Sequence, residues 1–219
     1  MMWRSVGINL IIAGLGVLTW YIVFRIVNRR RGTDALEWVE RALSFHGEIS
    51  AVKWLSASRL HVRLRMASSP FRQPALLIQL MPREMPLEWL LNWWRGTKES
   101  VTFQANFDCP PGFNLEVQNL RMFARTRRRL RPDPLTWNFE HIGPFVISTR
   151  RDWKRDLLNL MDGLVASRAC DFSDVSFRNR SPHFTATVPL HSFSPKAQSE
   201  NDLFDVLGEL ASGASASKF

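Results

Sequence analysis

Cysteine is scarce: Cys109 and Cys170 are the only two in 219 residues. Two thiols cannot build the disulfide framework that small secreted domains use in place of a large core. The signatures of common chemistries are missing too. The chain has no GxxxxGK[ST] phosphate loop, no GxGxxG after a strand, and no HExxH, GxSxG or CxxC. Gly14-Leu15-Gly16 falls inside an apolar run. Ser50-Ala51-Val52-Lys53 spells SxxK, but in a strand pattern, whereas that motif needs its serine at a helix start. The five histidines (His46, His61, His141, His183 and His191) do not fall at metal-ligand spacing. His183 and His191 share strand parity but stand about 26 Å apart along an extended chain, so they read as surface side chains. No cofactor, metal or catalytic residue is therefore expected, and an enzyme without a recognisable motif is the third reading of function.

The composition is otherwise that of a folded protein. With 45% hydrophobic and 22% charged residues, collagen-like, low-complexity and wholly disordered chains are excluded. Charge is unevenly spread. Residues 1–150 carry 21 Lys/Arg and 11 Asp/Glu, whereas residues 151–219 carry 8 and 9. Arginine outnumbers lysine 24 to 5. Its planar fork suits phosphate and carboxylate, although coding bias of a GC-rich genome would give the same excess.

Ser5 to Phe24 is a run of twenty residues without a charge. As a helix it would be about 30 Å long, the thickness of a bilayer's hydrocarbon core. Trp3 precedes it, and Trp20 and Tyr21 lie near its far end, where amphipathic rings favour the headgroup boundary. The run is too long for a signal-peptide core and no small-x-small cleavage site follows, so an uncleaved anchor is expected. Arg25, Arg29, Arg30 and Arg31 follow the run, against Arg4 and the terminal amine before it. The more basic flank tends to stay inside the cell, which predicts a single-pass protein of the inner or plasma membrane with its soluble domain in the cytoplasm. Gly7, Ala13, Gly14 and Gly16 make one stretch of the helix small, without a strict GxxxG.

Three regions follow: an anchor with its basic flank at 1–31, an α+β domain at 32–195, and a tail at 196–219 with a short amphipathic helix near 200–210 and a small, polar, mobile end. In the domain, Asp34 and Glu37 have capping-box spacing and Gly47 supplies a stop, predicting a helix over 34–46. A hairpin is expected over 49–66, with Leu60, Val62, Leu64 and Met66 alternating against His61, Arg63 and Arg65. Further strands are read at 75–80, at 101–107, from Phe113 onward, around Trp137 to Ile147 with an edge or bend at Pro144, and at 171–178 and 183–191. Residues 152–167 carry the clearest helical stripe. Helix, strand, strand thus occurs at 34–66 and again at 152–190, which admits a duplicated α-β-β unit. The pattern predicts an α+β fold: a transmembrane helix, then a predominantly antiparallel sheet with packed helices.

Two surface signals stand out. Arg121, Arg125, Arg127, Arg128, Arg129 and Arg131 place six arginines in eleven residues. Near an anionic leaflet each is worth about 1 kcal/mol. The second is Pro86 to Arg95, where Trp89, Trp93 and Trp94 fall within six residues. Glu88, Asn92 and Arg95 form a narrow polar stripe on this segment. It reads first as a core helix wedged between two sheet layers and second as a helix lying in the membrane interface. The function expected is that of a non-catalytic adaptor, scaffold or assembly protein whose basic domain binds anionic lipid headgroups or an acidic protein. The alternative is a lipid- or apolar-ligand-handling domain with a cavity lined by residues such as Trp137, Phe139 and Phe145. Nucleic acid is not expected as a partner, since no RNP-like strand, zinc finger or helix-turn-helix is evident.

Overall fold

The first helix does not stop where the sequence seems to punctuate it. In the computed structural model, which describes residues 2–66, 70–119, 137–142, 145–150, 172–192 and 202–216, α1 runs unbroken from Met2 to Leu43. At 1.5 Å per residue it is about 63 Å long. An anchor ending at residue 31 and a second helix opening at Asp34 are expected from the sequence, and Asp34 lies inside α1 instead. Gly32 serves close packing: it is buried against Trp54, and a Cβ there would collide with the indole ring.

The remaining elements, in chain order, are β1 (Gly47–Ser56), β2 (Arg59–Met66), β3 (Phe71–Gln79), α2 (Pro86–Trp94), β4 (Ser100–Phe107), β5 (Leu115–Asn119), β6 (Trp137–Ile142), β7 (Phe145–Arg150), β8 (Asp174–Phe177), β9 (Phe184–Pro189) and α3 (Asp202–Ala216). The described strands form one nine-stranded sheet in the order β1-β2-β3-β4-β9-β8-β5-β7-β6. Every neighbouring pair is antiparallel. The fold is α+β. β1 and β2 turn at Ala57-Ser58, as the sequence predicts. β6 and β7 pair with Ile142 opposite Phe145, so the Trp137–Ile147 run is a hairpin and β6 is an edge. Of the two α-β-β echoes, the first is the end of α1 with β1 and β2. The second hairpin is β8–β9, and the expected helix at 152–167 lies outside the described residues.

One face of the sheet is dry because strand alternation and register agree. Leu60 faces Ile78, Ile78 faces Val101, and Val101 faces Val188. Further along, Ala105 faces Phe184, Phe184 faces Phe177, and Phe177 faces Leu115. All of these are buried. Phe177 and Phe184 pack at 4.9 Å with their rings tilted by 45°, in an aromatic cluster with Phe71, Phe103 and Phe107. A fully buried side chain of this size contributes roughly 1.5–3 kcal/mol.

Two helices cover that face. From α1 come Ala35, Trp38, Val39, Ala42 and Leu43; from α3 come Leu203, Phe204, Val206, Leu207 and Leu210. The tail helix thus docks on its own domain, with Phe204 edge-on to Phe103 at 6.4 Å. His46 bonds Asp205 at 2.8 Å beside it. The other face of the sheet is polar. There Thr102 meets Thr187 at 3.2 Å and Ser176 meets Thr185 at 2.6 Å.

Candidate functional site

The two halves of α1 meet different surroundings. Its most apolar window is wholly unburied, and large apolar side chains between Val6 and Ile26 are exposed, whereas its last three turns are core. The helix is long and apolar enough to cross a membrane. Between these halves, residues 20–32 are gripped by the chain from Leu80 to Glu99.

The grip is polar and specific. Trp20 Nε1 donates to the Arg83 carbonyl at 2.9 Å, while its ring packs on Phe24 at 4.4 Å and Trp89 at 6.2 Å. Two turns further on, Asn28 is fully buried. Its amide nitrogen donates to Glu84 Oε2 at 2.6 Å and to the Met81 carbonyl at 3.1 Å. Its amide oxygen accepts from Arg83 at 3.3 Å. Arg83 and Arg31 both pair with Glu99, at 2.8 and 3.2 Å. Glu99 Oε1 also accepts the Met81 N–H at 3.3 Å. Buried polar groups are tolerated when every partner is present, and here they are.

α2 rises directly from this grip. Met85 is its extended cap, and Pro86 at the first position supplies a helical φ without wasting an N–H. The helix closes at Gly96, whose φ of 67° is the left-handed geometry glycine adopts freely; its N–H bonds the Trp93 carbonyl. No residue of α2 is buried. Leu87, Trp93 and Trp94 are 78%, 64% and 75% exposed. This overturns the reading of 86–95 as a core helix between two sheet layers. There is one sheet among the described residues, and α1 and α3 already occupy its apolar face.

Behind α2 lies an open groove of about 1550 Å³. Glu88 and Asn92 of the α2 polar stripe line one side, and Ser58, Arg59 and Ser100 at the strand ends line another.

The other residues singled out by sequence fall as follows. Trp3 lies in the first turn of α1, and Tyr21 is half-buried with Arg25 6.0 Å above its ring. Of the juxtamembrane arginines, Arg29 sits over the Trp54 ring at 5.3 Å and Arg31 pairs with Glu99, whereas Arg30 is exposed. Arg121, Arg125, Arg127, Arg128, Arg129 and Arg131 lie outside the described residues, as do the side chains of Trp137, Phe139 and Phe145. Cys109 is exposed. His183 Nδ1 accepts the Phe107 N–H at 3.1 Å. Among the described residues no group of three or more His, Cys, Asp or Glu is placed to hold a metal ion.

Among the described residues one titratable group is strongly perturbed. Asp174, on the polar face of the sheet, has its carboxyl pushed up to about 6 by burial, with the nearby Glu116 charge adding and Arg178 opposing. Arg178 is itself committed to Glu116 at 2.8 Å. Sequence reading missed Asn28, Glu84 and Glu99. The signal was present: Phe24, Asn28, Gly32, Ala35, Val39 and Ala42 recur at three- and four-residue intervals, a single helical stripe on which Asn28 is the polar member. No family model matches the chain, and no curated protein matches it.

Proposed function

We propose that the chain is a single-pass membrane protein whose domain is held rigidly at the bilayer surface, where it serves as a non-catalytic adaptor, scaffold or assembly protein. The observation that carries this reading is the continuity of α1, exposed and apolar in its first half and part of the domain core in its second. A rod shared between bilayer and core fixes the domain's height and tilt. α2 supports the same reading. It stands at the level of Trp20 and turns Leu87, Leu90, Trp93 and Trp94 outward, the composition of a helix lying among headgroups. Trp20, Tyr21, Trp89, Trp93 and Trp94 then form the interfacial belt on the domain side, and Trp3 marks the opposite headgroup layer. Arg25, Arg29, Arg30 and Arg31 keep the domain on the cytoplasmic side of the cell membrane. The partner is anionic lipid or an acidic protein, met by the arginines between Arg121 and Arg131.

Cys109 gives the test. With Cys170→Ser, a membrane-impermeant maleimide should label Cys109 only after cells are permeabilised. Labelling of intact cells overturns the orientation, and release of the protein by alkaline carbonate overturns the anchor. Affinity purification from native membranes should lose lipid or protein partners when Arg127, Arg128 and Arg129 are changed to Ala; an unchanged profile removes the arginine cluster from the reading. The groove behind α2 favours a second reading, lipid handling, because it opens beside the helix that would lie among headgroups.

A further inference from the structure

The groove is wide, open and unevenly charged. Small-ligand pockets occupy roughly 300–1,000 Å³. At about 1550 Å³ this one exceeds that range. Of its carboxylates, Glu84 is hydrogen-bonded by the uncharged Asn28 amide and Glu99 is paired with Arg31 and Arg83. Arg59 at the start of β2, with Arg95 and Lys98 after α2, line the groove and are exposed, and none of their side chains has an ion pair or hydrogen bond among the described residues. Glu84 and Glu88 are the carboxylates left to oppose them. Three available cations beside two carboxylates leave the groove basic, and, behind a helix with an exposed apolar face, it matches the two ends of an anionic phospholipid.

We propose that this groove holds the phosphate-bearing headgroup of an anionic phospholipid, whose acyl chains run along the apolar side of α2. The site rests on the membrane-anchored reading above. Continuity with α1 favours a lipid over a soluble anion. Trp20 contacts Arg83 and Trp89, the chain neighbours of the groove residues Pro82, Glu84 and Glu88, so the groove lies close to where the apolar run of α1 ends, and a lipid reaches it without leaving its leaflet. The arrangement also explains the polar stripe of α2. Glu88 and Asn92 line the groove, leaving Leu87, Leu90 and Trp93 for the hydrocarbon side.

The test uses the full chain in nanodiscs of phosphatidylcholine, with or without one-fifth phosphatidylglycerol. Lipids retained after detergent extraction are counted by native mass spectrometry. Wild type should keep phosphatidylglycerol selectively. At about 1 kcal/mol per cation, Arg59→Ala should weaken that preference about fivefold and Arg95→Ala with Lys98→Ala about 25-fold. Arg63→Ala, an exposed arginine in β2 that does not line the groove, should leave it unchanged. Lys98→Glu should abolish the preference without changing carbonate extraction, which separates failure of this site from failure of the anchor. Equal retention of the two lipids overturns the proposal. So does an equal loss with Arg63→Ala, or displacement of the lipid by millimolar inorganic phosphate.

Discussion

Asn28 on α1, itself fully buried, holds the Glu84 carboxylate at 2.6 Å, joining the long helix to the segment that leads into α2. Removing one partner strands the other. Asn28→Leu should therefore destabilise the full chain in detergent by about 2–4 kcal/mol, because a buried charge loses its donor. Asn28→Leu combined with Glu84→Leu should recover most of that loss in the same thermal melts, since neither buried polar group then remains unpaired. A double variant no better than the single one would mean the two residues act separately.

Gly32 and Trp54 set the distance between α1 and the sheet edge. On helix propensity alone Gly32→Ala should stabilise by about 1 kcal/mol. In the native background the new methyl meets the indole ring, and a net loss of about 1–2 kcal/mol is expected. In a Trp54→Ala background the same change should become stabilising. That reversal of sign in a double-mutant cycle is the measurement.

The exposed indoles of α2 should report their depth directly. In vesicles containing lipids brominated near the headgroup end of the acyl chain, wild-type fluorescence should be quenched, and Trp93→Phe with Trp94→Phe should remove a large share of that quenching. Lipids brominated near the chain ends should quench these two little. An unchanged quenching profile in the variant would place α2 in water.

Asp174 makes stability depend on pH in an unusual direction. Its carboxyl titrates near 6 in the folded chain, against an ordinary value of 3.8. The folded state therefore binds its proton more tightly than the unfolded state does. This contribution to stability is present below about pH 4 and is lost as pH rises through 6. Asp174→Asn should stabilise the protein at pH 7 by on the order of 2 kcal/mol and flatten the pH 4–6 limb of its stability curve. A wild-type curve that rises over this interval and is unchanged in the variant would show that the carboxyl ionises at no cost.

What could be read in advance follows from the range of the forces involved. β2 and β4 were legible because a half-buried strand alternates, as Leu60-His61-Val62-Arg63 and Val101-Thr102-Phe103-Gln104 do. Pairing partners were not, since nothing near Val101 states that Val188 will lie beside it. Asp34 misled for a different reason: its capping-box spacing to Glu37 is local, and α1 runs through it because its neighbours pack against the sheet. Glycine ends helices and also admits large side chains, and at Gly32 only the position of Trp54 decides between these roles. The α2 segment was ambiguous in principle, because hydropathy records that Trp93 and Trp94 avoid water but not whether protein or lipid takes its place. Asn28 was legible in the helical stripe from Phe24 to Ala42, but a break assumed at residue 32 cut that stripe in two.

The strand order carries a consequence for how the protein is made. β4 finds its second neighbour in β9, and the core is closed by α3, which follows every described strand of the sheet. While the ribosome is still working, the early meander β1–β4 therefore waits with a raw edge and an apolar sheet face that α1 covers without α3. A message cut short before the codon for Leu203 yields a chain that is never sealed, and such a product would present itself to chaperones and proteases.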